Sequence, residues 1–158
     1  YWNIHFNESF SESFDDASQE LDKRVEEAVR IRMRADVPLG AFLSGGVDSG
    51  AVVANMARNS EKAVNTCSIG FDDAKFDEAD YARKVAEQYK TNHQAKVVDP
   101  NDFSLVDGLM DYYDEPYADS SALPTFRVCE LARKRVTVAL SGDGWNSRIG
   151  KSRDRHQV

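Results

Sequence analysis

The sequence predicts an α/β domain built on a parallel, doubly wound sheet, and three observations lead there. Four short apolar runs alternate with helical stretches along the 158 residues, the pattern of strand–helix–strand units. The first run leads directly into a Gly/Ser/Asp loop, Ser44-Gly45-Gly46-Val47-Asp48-Ser49, and the fourth into a second one, Ser141-Gly142-Asp143-Gly144. Open parallel sheets bind ligands beyond the carboxyl ends of their strands, where the winding reverses. A strand order of 3-2-1-4 puts that reversal between the first and fourth strands, and so brings both loops to one crevice.

Taken in order, residues 1–14 carry aromatic side chains without a period and read as a segment that packs on, or links to, something else. Asp16-Ala17-Ser18-Gln19 has the spacing of a capping box, after which Leu21, Val25, Ala28 and Val29 share one helical face. Pro38 disfavours helix at Val37, so this first helix is expected to end near Asp36. Arg30, Arg32 and Arg34 read as a solvated face that complements the helix C-terminus rather than as an anion patch. Val37–Leu43 is a buried strand, and Gly50–Ala57 opens a helix of small residues that runs to Asn59-Ser60.

Ala63–Phe71 reads as the second strand. Asp77 is placed to cap the next helix, with Phe76 stapled to Tyr81 and an apolar stripe of Ala79, Ala82, Val85, Ala86 and Tyr89 that is core. His93–Asp99 is a third strand. Pro100 and Asp102 start a helix with Phe103, Val106, Met110 and Tyr113 on one face, ended by Asp114-Glu115-Pro116. A polar loop, Tyr117–Ala122, precedes a helix over Leu123–Lys134, and Val136–Leu140 is the fourth strand.

Composition narrows the function classes. A net charge of −7 with no Lys/Arg run argues against a nucleic-acid surface. No apolar stretch is long enough to span a bilayer, and no signal-peptide pattern is present, so a soluble cytoplasmic protein without membrane contact is expected. Cys67 and Cys129 stand far apart in core-like runs and suit buried reduced thiols; His5, His93 and His156 are scattered and suggest no metal constellation.

The chemistry concentrates in the first loop. A strand–loop–helix junction directs backbone N–H groups and a helix dipole at one point, a seat for phosphate. Gly45 and Gly46 let the backbone approach an anion, and the Ser44 and Ser49 hydroxyls donate to phosphate oxygens. Asp48 would repel phosphates unless it holds a cation, and Mg²⁺, which takes oxygen ligands and bridges phosphates, fits that role. The bland alternative is a glycine turn with Ser49 or Asp48 as N-cap. Ile69, at the end of the second strand, is either an apolar and backbone contact for adenine or an ordinary core residue.

The SGGxDS pattern lacks the lysine of a GxxxxGK[ST] loop and resembles the pyrophosphate loop of the N-type ATP pyrophosphatases, which share the adenine nucleotide alpha hydrolase-like fold. With both loops in view, the chain resembles the synthetase domain of glutamine-hydrolysing asparagine synthetases. The matching stretches are Asp36–Gly50, Cys67–Tyr89, Asp114–Phe126 and Val138–Gly144. That resemblance implies an ATP-dependent amide ligase that uses ATP and Mg²⁺ to activate the side-chain carboxylate of aspartate, with ammonia, derived from glutamine, displacing AMP. Another N-type pyrophosphatase acting on a different carboxylate, of the β-lactam synthetase or other amidotransferase kind, and a nucleotide-binding module without catalysis are the alternatives.

By position, the resemblance gives Ser44, Gly45, Gly46, Asp48 and Ser49 the pyrophosphate, with Asp48 on the metal. It gives Leu43, Ile69, Ser141 and Gly142 the adenosine. Asp143 stands near the reacting centre and shares the catalytic role with Asp48, while Asp119, Ser120 and Ser121 border the substrate pocket. The implied organisation is a linker over residues 1–16 from a glutaminase domain not in this chain, a pyrophosphatase domain over 17–144, and a tail, 145–158, that matches nothing in the family. A homo-oligomer of the full-length protein stays open. Three departures are expected to leave ATP binding without full turnover. The glutaminase nucleophile is absent, and Trp145-Asn146-Ser147 replace a small residue and an acidic pair. A transition-state lysine would fall beyond Val158. For the tail, a truncated or frame-shifted reading, or appended non-native sequence, is expected.

Overall fold

The computed structural model of the protein describes residues 12–71, 79–99, 105–112 and 121–142. Its first helix, α1 (Phe14–Arg32), begins earlier and ends sooner than the sequence suggests. The cap is Ser13, extended at φ −67° and ψ 161°. Its Oγ accepts from the Asp16 backbone N–H at 3.2 Å and donates to the Asp16 carboxylate at 2.7 Å. Asp16 therefore stands at the third helical position and bonds the Ser13 cap through backbone and side chain; it is not the cap itself. Val25 and Val29 are buried as expected, but Leu21 on the same stripe is 52% exposed, because the N-terminal half of α1 extends past the elements it packs on. The arginines are structural: Arg32 donates to the Ala28 carbonyl at 3.0 Å and Arg30 lies 3.9 Å from Glu27.

Four parallel strands follow: β1 (Leu39–Phe42), β2 (Asn65–Phe71), β3 (Asn92–Val98) and β4 (Val138–Leu140). Their order is β3-β2-β1-β4, the one expected from the loop chemistry. The central strand β1 is wholly apolar, Leu-Gly-Ala-Phe, and helices alternate with the strands along the chain, as a crossover sheet requires. α2 (Val47–Arg58) and α3 (Ala79–Gln88) cover one face, where Leu43, Val53, Met56, Ala82 and Ala86 form the core together with Val25 and Val29 of α1. α5 (Ala122–Arg133) covers the other, with Leu131, Ala132 and Val136 packed on Cys67. Leu43 is 1% exposed and Val53 0%, and each such side chain contributes about 1.5–3 kcal/mol of transfer free energy.

Two expectations need correction. Within the described residues the fourth helix, α4, spans Val106–Leu109; Met110, expected on its apolar face, is its C-cap and is 73% exposed. Cys67 is buried, whereas Cys129 lies on the outer side of α5 and is exposed; both are free thiols. Asp119, Ser120, Asp143, the Phe76–Asp77 cap, Phe103, Tyr113, the 1–11 segment and the tail lie outside the described residues.

Candidate functional site

The first loop owes its shape to its side chains. Gly45 has φ +86°, in the left-handed region where a Cβ is strained. Ser44 Oγ and Ser49 Oγ lie 3.0 Å apart, tying the two ends of the loop together. The Ser44 N–H donates to Ser49 Oγ at 3.2 Å, the Gly46 N–H donates to Ser44 Oγ at 3.3 Å, and Ser49 Oγ donates to the Gly46 carbonyl at 3.2 Å.

The bland reading of this loop fails on the cap. Gly46 is the N-cap of α2, at φ −70° and ψ 162°, and it has no side chain to offer. Ser49 and Asp48 lie within the first turn instead. The N–H groups of that turn are thus directed out of the helix, and the dipole of a twelve-residue helix ends there. Asp48 sits in the same turn, half-buried.

The second loop meets it. A Cβ built on Gly142 would lie 2.8 Å from the Ser49 backbone nitrogen and 2.9 Å from the Asp48 carbonyl carbon. The end of β4 therefore runs against the first turn of α2, backbone on backbone. The β1–β4 pairing that brings them together has Leu39 opposite Val138 and Ala41 opposite Leu140.

Between the loops and α5 lies a cleft of about 500 Å³. Of the expected site residues, Leu43, Ser44, Gly46, Asp48, Ser49, Ile69, Ser141 and Gly142 all line it. Gly45 is at the loop tip between two lining residues. Ser121, expected to border the substrate pocket, is the N-cap of α5, the helix that forms one wall of the cleft.

Sequence reasoning missed the far wall. Pro124, Thr125 and Val128 of α5 face the cleft, with Phe42, Cys67 and Ser68 beside them. Pro124 and Val128 are one turn apart, a spacing that carries the signal once α5 is known to cross this face. Burial raises the Cys67 thiol above its ordinary range, against a weaker opposing pull from Arg135, so it stays a neutral part of the wall.

β2 outruns β1. The β1–β2 register stops at Phe42 opposite Cys67, with the Leu43 N–H reaching back to the Cys67 carbonyl at 2.9 Å. The β2–β3 register continues to Phe71 opposite Val98. From Ser68 onward, β2 thus has a described strand partner on its β3 side and turns its other edge toward the cleft.

A parallel sheet in the order 3-2-1-4, with a Gly/Ser/Asp loop after its first strand met by Ser141-Gly142 after its fourth, is the adenine nucleotide alpha hydrolase-like fold. Two solved structures share it: the NH3-dependent NAD synthetase of Campylobacter jejuni, at a TM-score of 0.50 and 12% identity over 77% of this chain and 54% of that one, and the NMN synthetase of Francisella tularensis, at 0.50 and 13% over 82% and 54%. Sequence narrows the class. The family described as asparagine synthase matches residues 20–146, and the chain belongs to that family. A Methanocaldococcus jannaschii protein named for glutamine-hydrolysing asparagine synthetase is 47% identical over 130 residues, covering 81% of this chain. Bacillus subtilis asparagine synthetase [glutamine-hydrolyzing] 1 is 36% identical over 127 residues, covering 80%. The chain spans 25% and 20% of the length of these two relatives.

Proposed function

We propose that this chain is the ATP-binding part of an ATP-dependent amide ligase, with aspartate as the carboxylate substrate and ammonia as the nucleophile. The observation that carries the reading is the contact of Gly142 with the first turn of α2, which closes two anion-seeking loops around one cleft. In this assignment Ser44, Gly45, Gly46 and Ser49 hold the pyrophosphate end of ATP. Leu43, Ile69, Ser141 and Gly142 surround the adenosine, where the open edge of β2 offers backbone groups to a base. Asp143 follows directly on Gly142 in the sequence, and in this assignment it acts at the reacting carboxylate.

The residues fit a divalent cation only as a passenger of the phosphates. Among the described residues no three His, Cys, Asp or Glu side chains cluster as metal ligands. Asp48 would hold Mg²⁺ with one carboxylate, leaving the remaining positions to phosphate and water, the coordination this ion prefers. When bound, the ion supplies charge neutralisation on the departing pyrophosphate. The chain's own contribution is positioning: the α2 dipole and loop N–H groups face the charge that develops there.

The implied reaction is attack of the aspartate side-chain carboxylate on the α-phosphorus, giving an acyl-adenylate and pyrophosphate; ammonia then takes the acyl group and releases AMP. Asn146 is neutral where the family places a carboxylate, so the reading includes binding without full turnover by this chain. The two free thiols suit a reducing, cytoplasmic setting. The proposed organisation keeps residues 1–16 as a linker, 17–144 as the pyrophosphatase domain and 145–158 as a tail outside the family pattern. Calorimetry with ATP and Mg²⁺, together with AMP release in aspartate and ammonium, tests it. Magnesium-dependent ATP binding with slow AMP release is expected; failure to bind ATP or pyrophosphate refutes the site.

A further inference from the structure

β2 beyond Cys67 is a strand end with support from one side, and it forms the wall where a base would lie. What fixes it is a polar chain in the α3-covered face of the sheet. Thr66 is 0% exposed and Ser68 3%, and both side chains point to that face, two residues apart. His93 of β3 stands opposite Thr66 in the register and bridges them. Its Nδ1 lies 2.9 Å from Thr66 Oγ1 and its Nε2 3.3 Å from Ser68 Oγ. Thr66 Oγ1 in turn lies 2.8 Å from Thr91 Oγ1. The residue opposite Ser68 is Ala95, whose methyl group leaves room for the ring to lean along the strand.

A neutral imidazole satisfies the whole chain. In the arrangement that leaves Nε2 to accept, Ser68 donates to Nε2, Nδ1–H donates to Thr66, and Thr66 donates to Thr91, whose own hydroxyl proton ends the chain. Burial holds the ring below its ordinary value, which favours this form. His93 does not line the cleft, but Ser68 does, beside Ile69.

We infer that His93 is a positioning residue for the nucleoside end of the cleft, fixing the projecting end of β2 through Ser68. The inference rests on the nucleotide-site reading above, and within that reading it divides the site into a phosphate end that is independent of His93 and a base end that depends on it. The bond to Ser68 is the one that matters, so the two amide variants separate. Gln places its amide near Nε2 and keeps that bond; Asn reaches only the position of Nδ1 and loses it.

The experiment measures dissociation constants of the whole chain for Mg–ATP and for Mg–pyrophosphate, with His93→Asn, His93→Gln and Ser68→Ala. His93→Asn should weaken Mg–ATP about tenfold, the value of one buried hydrogen bond, and leave Mg–pyrophosphate unchanged. His93→Gln should stay within about twofold of the parent for both ligands. Equal losses for both ligands, equal behaviour of the Asn and Gln variants, or undiminished ATP affinity in His93→Asn would overturn the inference. Where His93→Asn does not fold, Ser68→Ala, which keeps the Thr66–His93 bond, decides: selective loss of ATP affinity supports it and parental affinity refutes it. A parent chain that binds neither ligand brings down the nucleotide site itself, a result distinct from binding that His93 does not influence.

Discussion

Gly142→Ala isolates the contact on which the site is built. The added methyl would meet the Ser49 nitrogen at 2.8 Å, the Asp48 carbonyl carbon at 2.9 Å and the Asp48 Cβ at 3.0 Å. Ordinary contact begins at 3.4 Å, so the closest pair falls short by about 0.6 Å. Two of the three opposing atoms are backbone in the first turn of α2, and neither can swing away as a side-chain tip would. Gly142 has an unstrained φ, which leaves sterics as the whole effect. Relief requires β4 and α2 to separate, a shift that overpacked interiors resist at about 1–3 kcal/mol. Because the same separation opens the cleft between the loops, the expected result is a loss of about tenfold or more in Mg–ATP affinity, read by calorimetry, with a lowered unfolding midpoint. Gly50→Ala is the control: nothing lies within 4 Å of its Cβ, and it sits inside α2. It should stabilise by about 0.5–1 kcal/mol and leave affinity unchanged. Parental affinity and stability in Gly142→Ala would mean that the two loops are not held against each other.

Three further outcomes follow from the same geometry. Asp48→Asn removes the anionic oxygen offered to a divalent ion, so ATP binding in Mg²⁺ should weaken about 10- to 100-fold, while binding in EDTA, relieved of a like charge beside the phosphates, should not weaken; equal weakening in both buffers excludes the metal role. Leu43→Asp buries an unpaired charge at a position 1% exposed, and circular dichroism should show an unfolded chain; a folded variant would place Leu43 outside the core. Burial lowers the His93 pKa below its ordinary 6.5, so the unfolded chain takes up that proton first as pH falls. Stability from this residue is present above 6.5 and declines below it toward the lowered folded value. Denaturant titrations from pH 7.5 to 5.5 should show the decline, and its absence in His93→Gln would assign it.

The sheet order was legible because the chemistry of the loops constrains it. Two Gly/Ser/Asp turns after the first and fourth strands make sense together only if those strands are neighbours, and β1 does pair with β4. Burial followed apolar period wherever a helix had a full partner: Ala82 and Ala86 of α3 are core. It failed for Leu21, since period reports which face of a helix is apolar and not how far its neighbour extends. The cap of α1 was misplaced for a related reason. Ser13 and Asp16 satisfy each other through two bonds, while Asp16 and Gln19 fit the same sequence spacing without making them.

The far wall of the cleft and the His93 bridge were not legible, and the cause is the same for both. Each depends on which face of the sheet a residue takes, and a one-residue change in register reverses every face. Thr66, Ser68 and His93 read as polar interruptions in β2 and β3, unfavourable on a covered face unless each finds a partner. Their register supplies the partners: Thr66 stands opposite His93, and the ring spans to Ser68. Polar residues at alternate positions of a buried strand, with one histidine on the next strand, are therefore better read as a bridge awaiting its register than as scattered polarity. In this chain that bridge lies behind the one stretch of β2 that β1 leaves open to the cleft. A strand end that faces a ligand on one edge gains rigidity from its other neighbour or not at all, and here the neighbour supplies it through side chains as well as the backbone ladder.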